Sequence, residues 1–233
     1  GGISIKEVFS DIIVEAPLGS RTKLTLPDGT LVWLNAGSRI TYSQGFGVGN
    51  RKIELIGEGY FEVKRNEEVP FLVKTNSLLV KVLGTKFNFR DYPDDAEAIV
   101  SLSEGKVALN NLLKKEKEAF LLPNERVVLN KKNGRMHVEY STVSNALQWT
   151  NGYLFFDEEL LPDVVKELER SYNVKIQIAS DTLNTFRFYG NFVHREQNIQ
   201  EVLEALSATR KIHYIIEGHN ITCLLYTSDA ADD

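Results

Sequence analysis

The stretch from Leu24 to Val63, LTLPDGTLVWLNAGSRITYSQGFGVGNRKIELIGEGYFEV, limits this chain more than any other. Leu24, Leu26, Leu31, Trp33, Ile40, Tyr42, Ile53, Leu55, Tyr60 and Val63 fall in short β-rich runs. Pro27-Asp28-Gly29, Asn35-Ala36-Gly37, the Gly45–Gly49 run and Gly57-Glu58-Gly59 lie between them, and each is expected to reverse the chain. Asp-Gly between two strand-like runs is the strongest short hairpin signal, because both central residues must tolerate positive φ. Such a scaffold is built of short strands joined tightly, and it leaves little loop for an active site.

The same grammar holds to about residue 140. Strands are expected at Ile3–Ala16, Arg21–Leu26, Phe71–Lys74, Leu78–Leu83, Lys86–Arg90, Ala98–Leu102, Lys106–Asn110, Ala119–Leu122 and Arg126–Asn130, with Asn133-Gly134 as a last hairpin turn. Ser141–Trp149 reads as a connector. Beyond it, Leu161, Val164, Val165, Leu168 and Tyr172 follow the i, i+3, i+4, i+7 spacing of a helix with one buried face. Pro162 fits only the first turn of that helix, and Asp157, Glu158 and Glu159 place negative charge at its N-terminal end. Strands at Gly152–Phe156, Val174–Ile178, Phe186–Val193 and Ile212–Ile216, a helix at Asn198–Thr209 and a strand from Ile221 give the order β-α-β-β-α-β-β. The expected fold is a mainly β domain over residues 1–145, elongated and solenoid- or sandwich-like with antiparallel strands. A small α+β domain over residues 146–222 follows it.

The net charge of −5 and pI near 5.5 offer no basic surplus for phosphates, which argues against nucleic acid as a partner. Lys114-Lys115-Glu116-Lys117 and Lys131-Lys132 read as solvated hairpin tips. No apolar run is long enough to span a bilayer, and Gly1-Gly2 reads as a cloning remnant. The last eleven residues, CLLYTSDAADD, read back in frame as the reverse complement of a transposase-type sequencing adapter. Residues 223–233 are therefore expected to be a non-native read-through tail, with the final strand truncated or completed by foreign residues. The single cysteine, Cys223, lies in that tail, so disulfides, thiol catalysis and cysteine-based zinc sites drop out.

Residues that carry chemistry are scattered. His137, His194, His213 and His219 share no metal-ligand spacing. No Gly-x-Ser-x-Gly elbow occurs, and the Gly45–Gly49 run lacks the spacing and following helix of a phosphate loop. Glu67-Glu68, Asp94-Asp95 and Glu158-Glu159 are neighbours in sequence, which rarely face each other across a cleft. The expectation is a protein without catalysis, metal or cofactor. Trp33, Trp149, Phe186, Phe188 and Phe192 are assigned to cores, where large aromatic area is most useful.

The ordered phrases LTLPDGTLVWLNAGSRITY, ELIGEGYFEV, PFLVKT, VLGTKFNFR and SLSEGKVAL closely resemble the periplasmic region of FecR-type anti-sigma factors. NGYLFFDEELLPDVVKELERSYNVKI and the later YGNF resemble the C-terminal domain of that family, notably its Bacteroidota branch, a domain similar to the short secretin-and-TonB N-terminal module. The resemblance runs from about residue 14 to 222. It departs at Leu122-Pro123-Asn124-Glu125-Arg126, where the family carries a glycine-rich phrase. It implies a periplasmic region of a single-pass inner-membrane regulator. A cytoplasmic segment would hold an extracytoplasmic-function sigma factor and one helix would cross the inner membrane, both absent from this chain. The signalling domain of a TonB-dependent outer-membrane transporter would be received in the periplasm. Lys175, Gln177, Arg187 and Tyr189, on the strand face turned away from the helices, are the expected partner contacts. Rotation of one domain on the other about Ser141–Thr150 is the expected relay. The alternative is a free periplasmic carbohydrate-binding module with Trp33 or Tyr42 as the sugar platform.

Overall fold

The computed structural model describes residues 11–227, so the expected strand positions before Asp11 and the tail beyond residue 227 lie outside the described residues. The chain divides into two compact units. The first runs up to Pro17 and from Arg21 to Leu147, and the second takes Leu18–Ser20 and continues from Gln148.

The first unit is a 13-stranded sheet organised around one long strand. Its early strands are β1 (Asp11–Ala16), β2 (Thr22–Thr25), β3 (Leu31–Leu34), β4 (Ser38–Ser43) and β5 (Arg51–Glu62). Then come β6 (Phe71–Lys74), β7 (Leu78–Val82), β8 (Lys86–Asp91), β9 (Glu97–Glu104), β10 (Val107–Asn111), β11 (Ala119–Leu121), β12 (Glu125–Asn130) and β13 (Met136–Tyr140). The first half of β5 pairs with β4 and β6, the second half with β3 and β8. Two half-sheets therefore meet in β5, ordered β1-β4-β5-β6-β7-β10-β11 and β2-β3-β5-β8-β9-β12-β13. Successive hairpins alternate between the halves. The winding is thus that of a solenoid and the cross-section that of a sandwich, with every pairing antiparallel except β5 with β6.

One apolar cluster fills the space between the halves. Ile53, Phe71, Val80, Leu109 and Leu121 come from one, and Leu34, Phe61, Phe87, Phe89, Val100 and Val127 from the other. Phe61 stacks on Phe87 at 5.1 Å and meets Phe71 edge-on at 6.3 Å, tying the two sides together.

Gly57-Glu58-Gly59 does not reverse the chain. It lies inside β5, where Gly57 at φ 100° bends the strand from one half-sheet into the other. A Cβ there would sit 2.3 Å from Ser38 Oγ and 2.9 Å from Ser38 Cα, so the bend needs glycine both for its φ and for its space. The bend buries Glu58, whose carboxylate accepts from Asn35 Nδ2 and Asn88 Nδ2, each at 2.9 Å. Asp28, in the Pro27-Asp28-Gly29 turn, does form a hairpin loop, with Thr30 N–H and Oγ1 donating to its carboxylate. The same carboxylate meets the buried Arg51 guanidinium at 3.1 Å, and Arg51 also donates to the carbonyls of Lys64, Val69, Asn66 and Leu83. Trp33 is not a core residue. It is half-buried beside Tyr60, with Lys23 Nζ 4.6 Å over its ring.

The connector expected at Ser141–Trp149 holds a short helix, α1 (Val143–Ala146), and a 3-10 turn (Gln148–Asn151). The second unit then runs β14 (Tyr153–Leu160), α2 (Leu161–Tyr172), β15 (Lys175–Ile178), a 3-10 turn (Asp181–Thr185), β16 (Arg187–Val193), α3 (Ile199–Ser207), β17 (Ile212–Glu217) and β18 (Asn220–Leu225). That is the expected β-α-β-β-α-β-β order. Asp157, Glu158 and Glu159 depart from expectation: they belong to β14, because Glu159 and Leu160 still pair with Phe188 and Arg187. The acidic residue in the first turn of α2 is Asp163, and Pro162 sits in that turn as expected. Asn198 caps α3, accepting from Glu201 N–H at 2.9 Å in a capping box. Leu154, Phe156, Val164, Leu168, Phe188, Phe192, Val202, Leu206, Ile221 and Cys223 form the core. Cys223, the first residue of the segment read as a tail, is fully covered there. Burial pushes its thiol up to about 11, which leaves it protonated and inert at neutral pH.

Candidate interaction surface

The strands of the second unit form two separate sheets. β14 pairs with β16 alone, and β18 lies between β15 and β17. α2 packs against strands of both sheets. Of the four expected contact residues, Arg187 and Tyr189 lie exposed on β16, and Lys175 and Gln177 lie exposed on β15. The expectation of a single strand face is therefore corrected. A strand pattern reveals which residues alternate outward but not which sheet a strand joins, and here the four residues are divided between two sheets.

The β16 pair has company that sequence reading missed. Tyr189 meets Phe155 of β14 edge-on at 6.1 Å, and Tyr153 stands partly exposed on the same strand. Arg187 Nη1 donates to the Glu158 carbonyl at 2.7 Å. On the other sheet, Ile215 and Ile216 of β17 are both exposed. The signal for them was present: consecutive isoleucines in a two-residue period must put one on each face.

Backbone pairing identifies which groups at the sheet margins lack a ladder partner. Lys175 N–H donates to the His219 carbonyl and Ala179 N–H to that of Cys223, so Ile176 N–H points away from β18. Glu169 Oε2 of α2 accepts that N–H at 3.1 Å. His194 N–H donates to the Gly152 carbonyl, and by antiparallel alternation Val193 N–H points away from β14. Gln197 Oε1 accepts it at 2.8 Å, while Lys211 Nζ reaches the Arg187 carbonyl of the same strand at 3.1 Å.

A polar depression of about 430 Å³ is lined by Ser171, Tyr172, His194, Arg195, Asn198 and Glu201. Its histidine Nε2 is already engaged with the Ser171 carbonyl, and Tyr172 Oη donates to the Gln197 carbonyl. Among the described residues no group of three or more His, Cys, Asp or Glu side chains could hold a metal ion. No helix there is long and apolar enough to cross a membrane. Tyr42 of the carbohydrate alternative packs against the core and meets Phe46 at 5.6 Å, so its ring is already engaged.

Residues 13–108 match the family described as FecR protein, and residues 153–223 match FecR, C-terminal. No curated protein sequence matches the chain. Two crystal structures of a protein assigned as an anti-sigma factor in Parabacteroides distasonis ATCC 8503, at 1.65 Å and 2.50 Å resolution, are similar to it. Each superposes with a TM-score of 0.84 at 32% identity, over 93% and 94% of this chain respectively and 100% of the other. Both family models match and a 32% identical relative is covered end to end, so this chain belongs to the FecR family of anti-sigma factors.

Proposed function

We propose that these residues are the periplasmic receiving and relaying part of an inner-membrane anti-sigma factor. In this reading the second unit takes up the signalling domain of a TonB-dependent outer-membrane transporter. The first unit passes the change on toward a cytoplasmic segment that holds an extracytoplasmic-function sigma factor. The observation that carries the reading is the division of the two family matches. FecR matches the first unit apart from Leu18–Ser20, and FecR, C-terminal matches the second, which supports separate bodies for receipt and relay. The tight joining of strands in the first unit and the paired small sheets of the second suit a spacer and a docking module better than a cleft.

The test is made in cells carrying the full-length regulator and a reporter driven by the sigma factor encoded beside it. Deleting only the signalling domain of the neighbouring transporter is expected to abolish induction, and the purified chain is expected to bind that domain directly. Undiminished induction without the domain, together with no binding in solution, overturns the proposal.

A further inference from the structure

The second unit has four strands at sheet margins, and three carry a device that blocks pairing. On β15 the Glu169 carboxylate occupies the outward Ile176 N–H. On β16, Gln197 takes the outward Val193 N–H and Lys211 the Arg187 carbonyl. On β14 the register breaks between Phe156 and Glu159, Glu158 turns to φ 52°, and three exposed carboxylates, Asp157, Glu158 and Glu159, follow one another. Capped amides, bulges and charge are the means by which proteins keep strand edges from pairing with other chains.

The fourth edge, β17, has neither a capped outward amide nor a bulge among the described residues, and its one carboxylate, the exposed Glu217, stands at its last position. Tyr226 N–H donates to the Lys211 carbonyl, so by alternation Lys211, His213, Ile215 and Glu217 bond to β18. Ile212, Tyr214 and Ile216 then turn their amides and carbonyls away from the sheet. Among the described residues no side chain bonds to the backbone of Tyr214 or Ile216, and the Tyr214 phenol is turned to Glu204 of α3. Ile215 and Ile216 are 48% and 37% exposed, one on each face of the strand. An edge with free backbone groups and apolar side chains on both faces suits one kind of occupant: an extended strand that is itself apolar on both faces.

We infer that β17 is the strand-accepting edge of this unit, and that a protein partner docks by adding a strand along Tyr214 and Ile216. This rests on the reading above, since it names how the partner of that same module is held. It places the contact on neither of the strands that carry Lys175, Gln177, Arg187 and Tyr189.

Ile216→Pro tests it, because that N–H serves no bond in the unit's own ladder and its loss leaves the β17–β18 pairing intact. Ile215→Lys is the second variant, which puts a charge on the edge while keeping every backbone group. Binding of the transporter's signalling domain to the full chain is measured by titration, and protection of the Tyr214 and Ile216 amides by hydrogen exchange. Both variants are expected to weaken binding about tenfold or more with unchanged far-UV circular dichroism, and binding to the parent chain is expected to protect those two amides. Folded variants that bind like the parent, with protection appearing on β14 or β15 instead, overturn the assignment and leave the functional reading standing. If the signalling domain does not bind the parent chain, the functional reading fails. The edge is then judged with the synthetic strand KIHYIIE, which protects Tyr214 and Ile216 if β17 accepts strands. Absence of protection at both amides overturns the assignment.

Discussion

Arg51 holds together more backbone than any other side chain described above. It lies almost wholly out of water, facing Asp28 and the carbonyls of Lys64, Asn66, Val69 and Leu83, so its charge is compensated by one carboxylate and four dipoles. Removing one partner of such a pair leaves the other buried and unpaired, at a cost of about 3–5 kcal/mol. Arg51→Ala is therefore expected to lower the unfolding free energy of the first unit by that amount, read as a lower urea midpoint with little change in slope. A loss below about 1 kcal/mol would mean that water replaces the guanidinium. Glu139 offers the contrast. Its hydrogen bond with Arg126 is the main cause that holds its carboxyl below the usual carboxylate range, and both side chains are more than a third exposed. A depressed carboxylate stabilises the fold above the ordinary carboxylate range, and the contribution is lost as pH falls through the lowered value. Solvent screening limits it, so Arg126→Met is expected to cost under about 1 kcal/mol at pH 7 and progressively less in acid or in high salt. Denaturant midpoints across pH check this, and a cost that grows on acidification contradicts it.

Among the elements, β5 separates what sequence alone could reveal from what it could not. The alternation at Ile53 and Leu55 and the run Tyr60-Phe61-Glu62-Val63 announce strands on either side of Gly57-Glu58-Gly59. The glycines predict a turn, because two strands flanking a glycine pair usually make a hairpin. What no local pattern carries is Ser38, brought from another strand to within 2.3 Å of where a Gly57 Cβ would stand. Gly57→Ala meets both that close approach and a φ of 100°, so it is expected to cost about 2–4 kcal/mol, well beyond an ordinary glycine substitution. A melting temperature within a degree of the parent's would show that β5 can straighten. Asn198→Ala removes a local device by comparison, and about 1 kcal/mol is expected for the lost cap. The helices α2 and α3 were legible because their signals, Pro162 and Asn198 with Glu201, sit within one turn of what they control. The assignment of β15 and β16 to different sheets was not, since strand partners lie far apart in sequence. For the same reason Lys175, Gln177, Arg187 and Tyr189 could be named as exposed but not as belonging together.

For the whole molecule, if the second unit receives a signal as proposed, a change after residue 147 must reach the unit that precedes it. The chain passes between the units at the connector and at both ends of Leu18–Ser20. The connector is short: Val143 belongs to the first unit and Trp149 to the second, and both are buried, so few residues between them are free to take up slack. A link anchored this closely at both ends transmits a displacement, whereas a flexible linker of equal length would absorb it. If the relay runs through this path, adding about four Gly-Ser residues after Leu147 is expected to abolish induction while each unit keeps its own unfolding transition and the second still binds its partner. Retaining partner binding separates a broken relay from a damaged receiver. Retained induction with the longer connector would exclude transmission through it. The signal would then have to pass through Leu18–Ser20 or by the partner's own action on the first unit, and in the latter case the strand edge at β17 would serve only to bring that partner within reach.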